Sequence, residues 1–177
     1  LNICYLGSSA LKKVYGDQLI ALQTALEFYK NNQDKINNND FLGVIDFTIK
    51  STQKRFFIIN LKTGSVESLL VTHGKKSETD LGVAGNFSNT EGSEMSSLGF
   101  FITDSVPYIG KHGNSLRLDG VSDSNSNARA RNIVLHGADY ATEWFATNKG
   151  RLGLSQGCLA VAPNKIAGVI EKLKGHA

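Results

Sequence analysis

The chain has 177 residues, 41% of them hydrophobic and 20% charged, a balance that excludes a disordered polymer and allows about 70% of the unfolded surface to be buried in one domain. A net charge of +3, spread along the sequence, excludes the basic stripe of a nucleic-acid binder, and no apolar run approaches the roughly 20 residues of a membrane span. With only Cys4 and Cys158, a disulfide-stapled scaffold is excluded as well.

Residues 1–10 begin without an initiator methionine or a basic region, as expected of a chain from which an export signal has been removed. Cys4 lies here and is read as a spare thiol. From Asp17, a suitable N-cap, the residues Leu19, Leu22, Leu26 and Tyr29 recur at helical spacing, so a helix of about three turns is expected, ending in the asparagine-rich stretch 31–39. Residues 41–50 and 55–61 are rich in β-branched and aromatic side chains. The turn Lys62-Thr63-Gly64-Ser65 leads the second into a third strand over 66–72, an antiparallel meander.

Residues 74–97 are crowded with Gly, Ser, Asn and Thr and read as a long surface loop, with Ser93, Ser96 and Ser97 as loop formers. Short strands are expected at 98–103, 116–118 and 132–135, separated by Gly110 to Gly113 and by the polar segment 122–127, with no room for a crossover helix. Arg129 and Arg131 are expected on a solvated or substrate-facing strand edge. Pro163, then Ile166, Val169, Ile170 and Leu173, then Gly175, predict a short amphipathic closing helix. The fold expected is mostly β (α+β), an antiparallel sandwich or meander with an N-terminal and a C-terminal helix. It forms one domain over 1–177: a helical segment to residue 40, a β core over 41–163, and a helix over 164–177.

The chemistry-bearing pair is His136 and Cys158. The apolar stretch 132–135 delivers His136-Gly137 at a strand end, and Leu154-Ser155-Gln156-Gly157-Cys158 brings a cysteine from a glycine turn into the apolar run 159–162. A lone buried cysteine is usually an inert small hydrophobe. Beside an imidazolium, however, a thiol's pKa falls from about 8.5 to roughly 3.5–7.5, and the backbone N–H groups of Gly157 and Cys158 would be placed to bind an oxyanion.

His136-Gly137 followed by Ser155-Gln156-Gly157-Cys158 resembles the His-Gly … Ser-x-Gly-Cys signature of the L,D-transpeptidase (YkuD-like) catalytic domain. Val71-Thr72-His73-Gly74-Lys75, Phe87-Ser88-Asn89, Gly92-Ser93, Ser96-Ser97-Leu98-Gly99 and the run from Arg131 to Ala138 resemble its murein subgroup, over most of residues 41–163. The resemblance implies an exported bacterial enzyme of the periplasm or cell envelope that acts on peptidoglycan stem peptides. Cys158 would attack the carbonyl of the third residue, usually diaminopimelate, and expel D-alanine, with His136 as base and the Gly137 carbonyl orienting it in place of Asp139. An amine acceptor makes this an L,D-transpeptidase; water makes it an L,D-carboxypeptidase.

Gln156 and Ala160 depart from the commoner Ser-His-Gly-Cys pattern with Arg or Asn two places on, which motivates an inactive peptidoglycan-binding domain as the non-enzyme alternative. Ser155, Gln156, Arg151, Arg131 and His73 are the candidate substrate contacts, the two arginines for a stem-peptide carboxylate. His112 and His176 read as solvent-exposed. A caspase-like protease is excluded by spacing, since its histidine lies about 50 residues upstream of the cysteine, and a papain-like one by chain order. His73, His136 and Cys158 are zinc-ligand types without a short ligand-pair spacing, so neither a metal nor a cofactor is expected.

Overall fold

The computed structural model describes residues 19–34, 36–38 and 40–175. The expected Asp17 cap, Cys4 and His176 lie outside the described residues. Helix α1 (Leu19–Asn31) has Leu26 and Tyr29 half-buried. Its last turn is closed by the Asn32 side chain donating to Phe28 O at 2.9 Å, and Phe28 stacks on Phe100 with ring centroids 3.9 Å apart.

Strands β1 (Phe41–Ile45), β2 (Phe56–Asn60) and β3 (Val66–Leu69) form the expected antiparallel meander. The first strand stops at Ile45 because the Asp46 carboxylate and carbonyl accept from Thr48 N and Ile49 N, which bends the chain into a turn. Asn60 plays the same part between β2 and β3, its Oδ1 accepting from Lys62 N and Thr63 N, with Gly64 at φ 73°.

The loop 74–97 carries a one-turn 3-10 helix (Lys75–Ser77) and a small hairpin, β4 (Glu78–Asp80) with β5 (Val83–Ala84). A second sheet then forms from β6 (Phe101–Thr103), β7 (Tyr108–Gly110), β8 (Gly113–Gly120), β9 (Val134–Gly137) and β10 (Leu159–Val161), in the order β10-β9-β8-β6 with β7 also on β8. Its pairings are antiparallel except one: β10 runs parallel to β9, with Leu159 opposite Leu135 and Ala160 opposite His136. A parallel pair needs a crossover, and the absence of a crossover helix expected from the sequence is corrected here. Helix α2 (Glu143–Lys149) supplies it. Its signals are short but present: Thr142 Oγ1 accepts from Phe145 N, and Gly150 ends the helix at φ 71°.

Helix α3 (Pro163–Leu173) buries Ile166, Val169, Ile170 and Leu173, the stripe that its spacing predicts. These pack with Phe56, Ile58 and Leu69 of the meander and with Leu116, Leu135 and Val161 of the second sheet in one core, each buried side chain worth roughly 1.5–3 kcal/mol. The two sheets are also tied by backbone: beyond β3, Thr72 N donates to Ala160 O and Thr72 Oγ1 accepts from Ala160 N. The strand that follows Cys158 is therefore gripped on both edges.

Candidate active site

His136 lies inside β9 and is 1% exposed. Its Nδ1 is 3.0 Å from the carbonyl oxygen of Gly137. A carbonyl only accepts, so Nδ1 carries the proton and Nε2 is left with a free lone pair. Asp139, by contrast, is exposed in the 3-10 turn that follows. Gly137 also packs closely under α3, since a Cβ there would sit 3.0 Å from Ile166 Cγ2 and 3.3 Å from Pro163 Cα.

Cys158 immediately precedes β10. Because Ala160 is opposite His136, the two-residue period of an extended chain puts Cys158 one diagonal step from His136 on the same face. The thiol donates to Asn132 O at 3.5 Å. Burial pushes its pKa up, while the Val134 backbone and the Arg131 guanidinium pull it back. The imidazole is displaced the other way: burial lowers the His136 pKa, with the Gly137 hydrogen bond opposing and His112 adding to the fall. Both shifts favour the neutral forms, so the resting pair is thiol and imidazole rather than the ion pair expected from the sequence. Desolvation by burial is the largest cause at both groups.

The turn before the cysteine is built by Ser155. Its hydroxyl accepts from Gly157 N at 3.1 Å and donates to Cys158 O at 2.7 Å, while its backbone bonds His73 O and Lys75 N. Two expectations are corrected by this. Ser155 is 6% exposed and faces the loop rather than a substrate, and the Gly157 N–H is taken up inside the turn instead of pointing at an oxyanion. Gly157 itself sits at φ 119°, where a Cβ would lie 2.7 Å from Met95 O and 3.3 Å from Arg131 Nη2. Gln156 alone in this turn is exposed.

Arg131 is also corrected, from a strand-edge cation to the organiser of the loop beside the thiol. Its guanidinium donates to Ser88 O at 2.6 Å, Met95 O at 2.6 Å, Ser93 Oγ at 3.1 Å and Ser97 Oγ. The planar fork suits four acceptors on one loop, where a lysine would satisfy fewer. Ser96 completes the joint, accepting from Gly74 N and donating to Gly157 O. These serines do more than form a loop, although no sequence spacing could show that acceptors over 88–97 converge on residue 131. Arg129, by comparison, pairs with Asp119 and Asp104 at the surface.

His73 does not line the cleft. It is fully buried, with Nδ1 accepting from Arg55 Nη2 at 2.7 Å, Phe47 packed edge-on, and Nε2 3.9 Å from Glu78 Oε1. Burial first, then the charges of Arg55 and Arg151, bring its pKa down to about 4. Arg151 belongs to this same cluster, donating to Leu152 O at 3.0 Å with Nε 3.6 Å from Glu78, and so is not a free cation at the cysteine. Arg55, which the sequence shows only as a strand opener, is the centre of the cluster: wholly buried, it donates to Val71 O, Ile49 O and His73.

Two neighbours of the pair were not legible in the sequence. Tyr140 approaches close enough for Cys158 to raise its pKa beyond the effect of burial, and it has room only because residue 153 is glycine, where a Cβ would lie 2.4 Å from Tyr140 Cβ. His112, exposed in the β7–β8 turn, stacks on His136 with ring centroids 4.3 Å apart.

Among the described residues no group of three His, Cys, Asp or Glu side chains could hold a metal ion, and no helix is long and apolar enough to cross a membrane. No curated protein and no solved structure matches the chain. A family model described as the L,D-transpeptidase catalytic domain matches residues 15–177. With nearly its whole length matched around the histidine and cysteine strands, the chain belongs to the L,D-transpeptidase catalytic-domain family.

Proposed function

We propose that the protein is an L,D-transpeptidase of the bacterial cell envelope that cleaves the bond between the third residue, diaminopimelate, and D-alanine of a peptidoglycan stem peptide. Cys158 is the nucleophile and His136 the base. The observation that carries this reading is the hydrogen bond from His136 Nδ1 to the Gly137 carbonyl, which leaves Nε2 as the basic nitrogen on the face that Cys158 shares.

The thiol and imidazole start neutral, so proton transfer accompanies attack. As Cys158 Sγ bonds to the carbonyl carbon of the third residue, its proton passes to His136 Nε2. The carbonyl π electrons move to oxygen, giving a tetrahedral oxyanion. The Cys158 N–H is the candidate donor to it, since the Gly157 N–H is bonded to Ser155 Oγ, and preorganised donors of this kind lower such barriers substantially. Collapse breaks the C–N bond, D-alanine leaves with the proton from His136, and a thioester remains on Cys158. An amine attacking that thioester transfers its proton to His136 and releases the thiol, giving a new amide. Gln156, exposed beside the nucleophile, is the remaining side chain of its turn able to donate to substrate. Arg131 acts indirectly, holding the adjoining loop and opposing the rise in the thiol pKa.

The test is incubation with purified tetrapeptide muropeptides, with mass analysis of the products. D-alanine release with cross-linked dimers supports transfer; tripeptide without dimers rejects transpeptidation in favour of hydrolysis. Replacement Cys158→Ala abolishes release while leaving the fold intact. Release near the wild-type rate by that variant rejects Cys158 as nucleophile, and bound but unmodified muropeptide with the wild-type protein points to a binding domain.

A further inference from the structure

Strands β7 and β8 form a tight hairpin whose turn is Lys111-His112, with Gly110 opposite Gly113 and Gly113 in the left-handed conformation at φ 75°. The hairpin is anchored to the histidine strand, because Ser115 of β8 pairs with His136. The turn places the His112 ring over that of His136, with centroids 4.3 Å apart and planes inclined by 23°. His112 is exposed while His136, under it, is 1% exposed.

We propose that His112 is a positioning residue for the catalytic base: its ring covers one face of His136, fixes the imidazole plane with Nε2 on the cysteine side, and keeps the base unprotonated. The inference rests on His136 being the base of the proposed reaction.

Two observations favour a role over incidental contact. One hydrogen bond, to Gly137 O, fixes a ring nitrogen but leaves rotation about that bond, and a stacked ring removes that freedom. Two imidazoliums cannot stack without like-charge repulsion, so the pair favours a neutral His136, in the same direction as its burial. The surroundings offer little else that titrates in the same range. Ala160 faces His136 from β10 and Ser115 from β8, and α3 presents Ile166 to the adjoining Gly137. The charged or titratable neighbours are Cys158, with Tyr140 and Arg131 around it, and Lys111 beside His112 in the turn. Of these groups, only His112 stacks ring on ring with His136.

The experiment compares wild type, His112→Phe and His112→Ala in D-alanine release from a tetrapeptide muropeptide over pH 5–9, with the His136 ring protons titrated by NMR in parallel. Loss of the stack in His112→Ala is expected to lower kcat about tenfold, the scale of a slightly misaligned catalytic group, with KM unchanged. His112→Phe keeps a ring over His136 and restores most of kcat. In both variants the acid limb of kcat/KM and the His136 titration midpoint move to higher pH, because the neighbouring charge is gone. A midpoint that stays in place in both variants, or a kcat in His112→Phe no better than in His112→Ala, overturns the inference. The titration needs no turnover, so a wild type that releases no D-alanine while its His136 midpoint responds to His112 refutes the proposed reaction rather than the pairing.

Discussion

The Cys158 sulfur donates its hydrogen bond to the carbonyl oxygen of Asn132, 3.5 Å away, and Asn132 presents that oxygen from a left-handed backbone, φ 54°. Asparagine is among the few side chains that adopt this conformation readily. A carbonyl accepts from a thiol and gives nothing to a thiolate, so this contact favours the protonated form of Cys158.

Alkylation of Cys158 in the free protein follows from that contact and from the burial that raises the thiol pKa. Mass spectrometry at Cys158 after timed exposure to iodoacetamide is expected to show slow modification at pH 7, with a rate still climbing above the ordinary thiol range of about 8.5. A rate profile with its midpoint below pH 7 would mean a resting ion pair with His136 and would contradict the neutral pair described here.

Ser155→Ala leaves the buried Gly157 N–H without its acceptor and removes the donor to Cys158 O. Unsatisfied buried groups of this kind cost about 1–3 kcal/mol, which denaturant unfolding will register. The rate of D-alanine release is expected to fall at least tenfold as the cysteine turn loosens, since about 1 Å of misplacement costs up to 100-fold. A direct substrate contact predicts instead a raised KM with unchanged stability.

Arg131→Lys keeps the charge but not the fork. The four acceptors at residues 88, 93, 95 and 97 cannot all be met by one ammonium, so turnover should fall nearly as far as in Arg131→Ala. Activity of the lysine variant close to wild type would show that charge near the thiol, rather than loop geometry, is what Arg131 contributes.

Acid should weaken the fold through His73. Its pKa is about 4 in the folded chain and near 6.5 when unfolded, so between these values the unfolded state binds the extra proton and stability falls as pH falls. The contribution is complete above pH 6.5 and is progressively lost toward pH 4, at most about 3 kcal/mol by linkage. Urea unfolding at pH 7 and pH 5 measures it. His73→Asn keeps an acceptor for Arg55 and is expected to flatten the dependence; an equally steep dependence in that variant would assign the effect to other groups.

Much of this was legible because it is local. The spacing of Ile166, Val169, Ile170 and Leu173 states a buried helix face, and the Asn60 to Ser65 turn states a hairpin, since both depend on backbone periods and on residues within a few positions of one another. His136-Gly137 and Gly157-Cys158 stood out for a related reason: they adjoin apolar runs with residue types that such strands seldom carry, and β9 and β10 lie side by side. The short helix α2 escaped notice because two turns contribute too few apolar repeats to stand out from a loop.

By itself, then, the sequence determined the meander, the closing helix and the apolar runs beside His136 and Cys158. Only the tertiary structure decided how polar groups are spent. Ser155 and the Gly157 N–H turn inward, Arg131 serves the loop over residues 88–97, His73 joins Arg55 in the interior, and His112 crosses from a hairpin to cover His136. The physical reason is that a side chain's partners are set by which strands pack together, and burial then shifts every charge in the site. Neither is encoded in the spacing along the chain.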